Sequence, residues 1–259
     1  MPGSPKLYLI PTPLGKTPAN NSVPADVIRI IHKLDTFFVE SLPSARKFLQ
    51  WVDHPIPEYE LKLYLLNKKS TASEIHDMLQ VVIETGSAGM FSEAGAPAVA
   101  DPGAQLVHIC HTNGITVHPL VGPSSVVLAL MASGCNGQQF TFHGYLPREP
   151  ESRKQAISRI EKNAGSDGYT HLFMETPYRN ADLWDDLLAT LKPDTVLGYG
   201  QNLTLPSEQT TSKEVMMWQA DMEKLSDDPA IFFMYRKKSR KPDRRQQSGG
   251  KKPKTRKRF

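Results

Sequence analysis

Several familiar signatures are missing from this sequence, and each absence removes a class of function. No GxxxxGK[ST] run is present, which excludes a P-loop nucleotide site, and no GxGxxG opens a helix, which argues against an ordinary dinucleotide fold. GxSxG is absent, so there is no nucleophile elbow of the hydrolase type. Only Cys110 and Cys135 occur, without CxxC or Cys/His spacing, so neither a disulfide framework nor a zinc site is expected. No apolar run approaches the ~20 residues that span a bilayer. The opening MPGSPKLYLIPTPLG is too short in apolar residues and too rich in proline for a signal peptide. A reduced, metal-free, cytoplasmic protein is the expectation.

What is present reads as globular. Of 259 residues, 39% are hydrophobic and 22% charged, enough for one large domain or two of ordinary size. The net charge of +4 hides a division: from Lys237 onward the balance is +11, so the remainder carries −7. The terminal KKSRKPDRRQQSGGKKPKTRKRF has no hydrophobic periodicity and is expected to be disordered. Such a tail gives salt-sensitive, sequence-blind affinity for RNA or DNA; the bland alternative is a solubilising extension. A membrane-surface role fits less well, because bulky apolar anchors are missing until Phe259.

Strand-like and helix-like segments alternate. Strands are expected at 6–10, 36–40, 87–92, 115–122, 139–146, 170–176, 195–201 and 230–236. Helices are expected at 24–34, 71–85, 104–114, 124–134, 151–163, 180–191 and, over SKEVMMWQADMEKL, 212–225. This order predicts an α/β architecture with mainly parallel strands and a boundary around residues 119–140. The expected divisions are 1–120, 121–236 and a basic tail, 237–259.

In such sheets ligands gather beyond the carboxyl ends of the strands. Four loops at those ends combine proline or glycine with small or hydroxylic residues: PTPLGK (11–16), SEAGAPAVADPG (92–103), VGPSS (121–125) and ETPYRN (175–180). Taken singly, AGAP can be a tight turn and the serine pair a plain helix cap. Glu40, Glu93 and Glu175 stand at or beside strand ends and are the carboxylates expected to face the cleft; helix caps and ion pairs are their alternative uses. His143 is read as a core or rim histidine rather than a base.

PTPLGK, SEAGAPAVADPG, VGPSS, GYLPR (144–148) and METPYR occur in this order between residues 11 and 179. Together they resemble the tetrapyrrole methylase superfamily, and most closely the branch that methylates a ribose 2′-oxygen of small-subunit ribosomal RNA. The resemblance implies S-adenosylmethionine bound between two α/β domains, usually in a homodimer, with no metal. It implies cofactor contacts from Pro13, Glu93, Ala94, Gly95, Ala96, Val99, Asp101, Ser124, Ser125, Asn202, Leu203, Pro229 and Ala230. Backbone groups around Gly95 would approach the cofactor's amino-acid end, and the serines would sit where a helix dipole favours a carboxylate. Catalytic roles would fall to Glu40 and Glu175, and RNA contacts to Arg46, Lys47, Arg148, Tyr178 and Arg179. The chain departs from the branch in VESLPSARKF, where Ser41, Leu42 and Pro43 replace an Asp-Thr-Arg portion. It departs again in YLLN (64–67) and in QNLTL (201–205), where Gln201 and Asn202 replace Arg and Glu. The cofactor side is kept better than the substrate side. Methylation of a tetrapyrrole or other small molecule, and a non-catalytic cofactor- and RNA-binding role, stay open beside RNA methylation.

Overall fold

The computed structural model describes residues 4–16, 22–221 and 225–238. The basic tail beyond Lys238 lies outside the described residues. The first half alternates β1 (Lys6–Leu9), α1 (Ala25–Ile31), β2 (Thr36–Val39), α2 (Leu42–Trp51), β3 (Lys62–Leu65), α3 (Ala72–Thr85), β4 (Ser87–Phe91), α4 (Ala104–Thr112) and β5 (Thr116–Pro119). Its five strands form a sheet in the order β3-β2-β4-β1-β5, with every pairing parallel. A parallel sheet is buried on both faces, and the Phe37-Phe38 pair shows how the sequence meets that demand. Phe37 joins the cluster with Ile31, Phe48 and Phe91, while Phe38 joins Leu79, Val82 and Leu106 on the other face.

Order β3-β2-β4-β1-β5 makes β1 and β4 neighbours, so their carboxyl-end loops, 11–16 and 92–103, lie side by side. Two backbone bonds of 3.0 Å lock them together, Thr12 N–H to Gly95 O and Gly95 N–H to Thr12 O.

The second half contains α5 (Ser125–Ser133), β6 (Phe140–Tyr145), α6 (Pro150–Asp167), β7 (Thr170–Met174), α7 (Asn180–Thr190), β8 (Val196–Gln201), β9 (Gln209–Glu214), α8 (Val215–Asp221) and β10 (Ala230–Tyr235). Its sheet runs β6-β7-β10-β8-β9. Here the strand directions differ from the expectation: only β6–β7 is parallel, and β7–β10, β10–β8 and β8–β9 are antiparallel. The short 202–208 connection between β8 and β9 is a hairpin link, which forces antiparallel pairing. SKE, expected to open a helix, instead ends β9, and the helix starts only at Val215. Phe232 and Phe233 repeat the device of the first half, feeding opposite faces of their sheet. Helix α5 packs on this second sheet through Ala129, in a cluster with Leu172, Ile231 and Phe233.

Candidate active site: a cavity between the two sheets

A cavity of about 730 Å³ opens where the strand ends of both halves converge, within the range that holds a drug-sized ligand. Loop 92–103 supplies Glu93, Ala94, Gly95, Ala96, Val99 and Asp101; Leu14 and Gly15 follow β1; Ser124 and Ser125 open α5. The second half adds Tyr145, Met174 and Glu175, then Gly200, Asn202, Leu203, Pro229 and Ala230.

Loop 92–103 holds an uncommon backbone. Gly95 (φ 78°) and Gly103 (φ 122°) are left-handed, and so are Ala98 and Ala100, both at φ 64°. A non-glycine residue there costs of order 1–2 kcal/mol, and such cost concentrates where a loop serves a ligand. A Cβ on Gly95 would lie 3.1 Å from Leu14 Cδ2. The Gly95 N–H is taken by Thr12 and so is not free to donate to a ligand. Gly95 supplies room and a fixed seam between two loops.

Ser124 is the N-cap residue of α5 with extended backbone, yet its side chain makes no capping hydrogen bond. Its hydroxyl is therefore not consumed by its helix, as the plain-cap reading would require.

Carboxylates crowd the mouth. Glu93 N–H donates to Glu40 Oε2 at 3.3 Å, and Ser44 Oγ donates to Glu93 Oε1 at 2.7 Å. Ser44 lies in the first turn of α2, and Ser41 is that helix's N-cap, its hydroxyl accepting from Ser44 N–H at 3.5 Å. The altered SLPS segment thus builds a helix start that touches the cofactor-side loop. Burial pushes the Glu40 carboxyl above its ordinary range, against the hydrogen bond from Glu93. Burial does the same to Asp101, against Ser92 and Lys68.

Glu175 is buried at the end of β7. Its Oε1 accepts from Thr176 N–H at 2.6 Å and Thr176 Oγ1 at 3.2 Å, and it is ion-paired with Arg179. Its Oε2 is buried without a partner among the described residues. Tyr145, not singled out from sequence, joins the cavity because β6 bulges between Phe142 and Tyr145, with Gly144 at φ 65°. A glycine inside a strand pattern was the available signal. Burial, then the charges of Asp101, Glu175 and Glu40, raise its phenol pKa, and Lys68 Nζ lies 5.9 Å from its ring centroid.

Other residues singled out from sequence fall outside the cavity wall. Pro13 precedes the lining residue Leu14, and Glu40 stands behind Glu93. Arg46 pairs with Glu58 at 2.8 Å, both exposed. Lys47 and Arg148 are exposed. Tyr178 is 70% exposed, with the Arg179 guanidinium 5.6 Å from its ring centroid. His143 Nε2 meets His171 Nδ1 at 2.8 Å, the rings stacked.

Residues 6–215 match the model of the Tetrapyrrole (Corrin/Porphyrin) Methylases. Among curated relatives, the Ribosomal RNA small subunit methyltransferase I of Vibrio cholerae is 28% identical over 214 residues, 83% of this chain and 68% of that one. The protein of the same name from Halalkalibacterium halodurans is 33% identical over 185 residues, 71% of this chain and 60% of its own. That of Leptospira borgpetersenii is 31% identical, covering 73% and 74%. The chain thus spans about two thirds of the length of these relatives. Among solved structures, the methyltransferase CobJ superposes with a TM-score of 0.57 at 13% identity, covering 90% of this chain and 94% of its own. Uroporphyrin-III-C-methyltransferase from Thermus thermophilus gives 0.52 at 16%, covering 89% and 94%; at such identities the likeness shows the fold alone. The family model covers most of the chain, and on that ground the chain belongs to the tetrapyrrole methylase family of S-adenosylmethionine-dependent methyltransferases.

Proposed function

We propose that this chain methylates a ribose 2′-oxygen of small-subunit ribosomal RNA. The observation that supports the reading is one cavity walled by segments of both halves, in a chain whose curated relatives carry that RNA in their names. Bound S-adenosylmethionine supplies an electrophilic methyl group on a sulfonium. The chain's residues have three tasks: to seat the donor, to orient the acceptor in line with the methyl, and to receive the hydroxyl proton. Seating falls to the small-residue loop Ala94–Ala96 with Val99, to the Ser124 and Ser125 hydroxyls, and to Asn202, Leu203, Pro229 and Ala230. Glu40, with Asp101 on the cavity wall, is the proposed proton-handling carboxylate, and Glu175, given the same role from sequence, is proposed to position a ligand instead. Arg46, Lys47, Arg148, Tyr178, Arg179 and the basic tail are proposed to bind RNA. A cytoplasmic place of work is proposed with the ribosomal RNA substrate; no helix among the described residues is long and apolar enough to cross a membrane.

We also propose a homodimer. Helix α5 is apolar nearly all round, and while Ala129 faces its own sheet, Val127 and Met131, one turn apart, are 49% and 73% exposed. A second copy would cover them.

The test is methyl-labelled S-adenosylmethionine with unmodified small-subunit RNA, followed by nucleoside mass spectrometry. A 2′-O-methylated nucleoside is expected. Cofactor binding without transfer to RNA would defeat the substrate assignment.

A further inference from the structure

Glu175 reads differently from a proton acceptor when its two oxygens are followed separately. Oε1 is saturated: the Arg179 guanidinium, Thr176 N–H and Thr176 Oγ1 all converge on it. Thr176 Oγ1 also accepts from Arg179 Nε at 3.0 Å, so carboxylate, hydroxyl and guanidinium form one closed unit. Among the described residues Oε2 takes no donor, although the side chain is wholly withdrawn from solvent and the residue lines the cavity. A buried acceptor left unpaired is costly, and a carboxylate oxygen can be satisfied only by a donor.

The surroundings restrict that donor. Arg179 already supplies a cation, so a second one beside it would be repelled. Met174, Phe142 and Ile231 give the same wall an apolar surface suited to the body of a nucleoside. In dinucleotide-binding folds an acidic residue at the sheet's carboxyl edge accepts from a ribose hydroxyl, and Glu175 offers the same chemistry here.

We infer that Glu175 is an anchoring residue whose Oε2 accepts a hydrogen bond from a ribose hydroxyl of a bound nucleoside, held in aim by Arg179 and Thr176. This assignment rests on the methyltransferase reading, in which two riboses enter the cleft: the cofactor's and the acceptor's. The proton of the acceptor is then left to Asp101 or Glu40.

Calorimetric titration with S-adenosylhomocysteine, on the wild-type chain and on Glu175→Gln, tests the first source. An analogue of S-adenosylhomocysteine lacking both ribose hydroxyls, titrated into the wild-type chain, makes the same test without a substitution. A loss of about 10- to 100-fold in affinity in both measurements assigns Oε2 to the cofactor's ribose. Unchanged cofactor affinity, with a similar loss in binding of small-subunit RNA by Glu175→Gln and by wild type offered RNA with a 2′-deoxy acceptor, assigns it to the acceptor's. Wild-type binding that neither the substitution nor deoxygenation of either ribose alters overturns the anchoring role alone. A wild-type chain that binds neither S-adenosylhomocysteine nor RNA defeats the methyltransferase reading and the anchor with it.

Discussion

Gly95 carries two constraints at once, a left-handed backbone and a seam to Thr12. Gly95→Trp is expected to abolish binding of S-adenosylmethionine in a calorimetric titration, since the side chain would enter the cavity past Leu14. Undiminished affinity would displace the donor from this loop. Asp101 offers a test with opposite signs on function and stability. Its folded-state pKa is raised, so between its ordinary value and the raised one the folded protein holds more protons than the unfolded chain. Stability therefore falls as pH rises through that window, and at neutral pH the charged group is a burden. Asp101→Asn should raise the melting temperature at pH 7 while slowing methyl transfer by about 100-fold or more; a lower melting temperature would show that the carboxylate is structural. At this scale the sequence is legible where small residues cluster: AGAP and the serine pair both reach the cavity. It is not legible for Tyr145, whose placement depends on a one-residue bulge, or for Glu175 Oε2, whose isolation depends on where Arg179 folds back.

Elements are most legible where periodicity and punctuation agree. Helix α3, expected at 71–85, runs Ala72–Thr85, opened by a Thr71/Glu74 capping box and closed by left-handed Gly86. Thr71→Ala should cost about 1 kcal/mol, a fall of roughly 2–4 °C in melting temperature; no change would mean that packing alone sets this helix start. Strand β9 escapes a sequence reading because QTTSKE is a polar edge strand, with no buried alternation to mark it. Its pairing with β8 is decided by the turn before it, where Asn202 (φ 52°) and Thr204 (φ 72°) adopt left-handed conformations without glycine to announce them. Helix α2 and strand β3 escape it for a related reason. The SLPS start looks like a loop by composition until Ser41 is seen to cap it.

For the whole molecule, charge is divided so that a body of net −7 precedes a segment of net +11. Removing residues 239–259 takes away ten basic residues against one acid. RNA affinity should then fall and its logarithmic dependence on salt should become shallower, by about 0.7–0.9 for each phosphate that the shortened chain leaves to its counterions. Identical salt slopes for full-length and shortened chains would remove the tail from RNA binding. The Thr12–Gly95 seam bears on how the cleft meets its ligand. Because each loop's amide is already hydrogen-bonded to the other, the floor is finished before anything arrives. In deuterium exchange the amides of Thr12 and Gly95 should be protected to the same degree with the cleft empty or filled, so that the donor meets a template rather than moulding one.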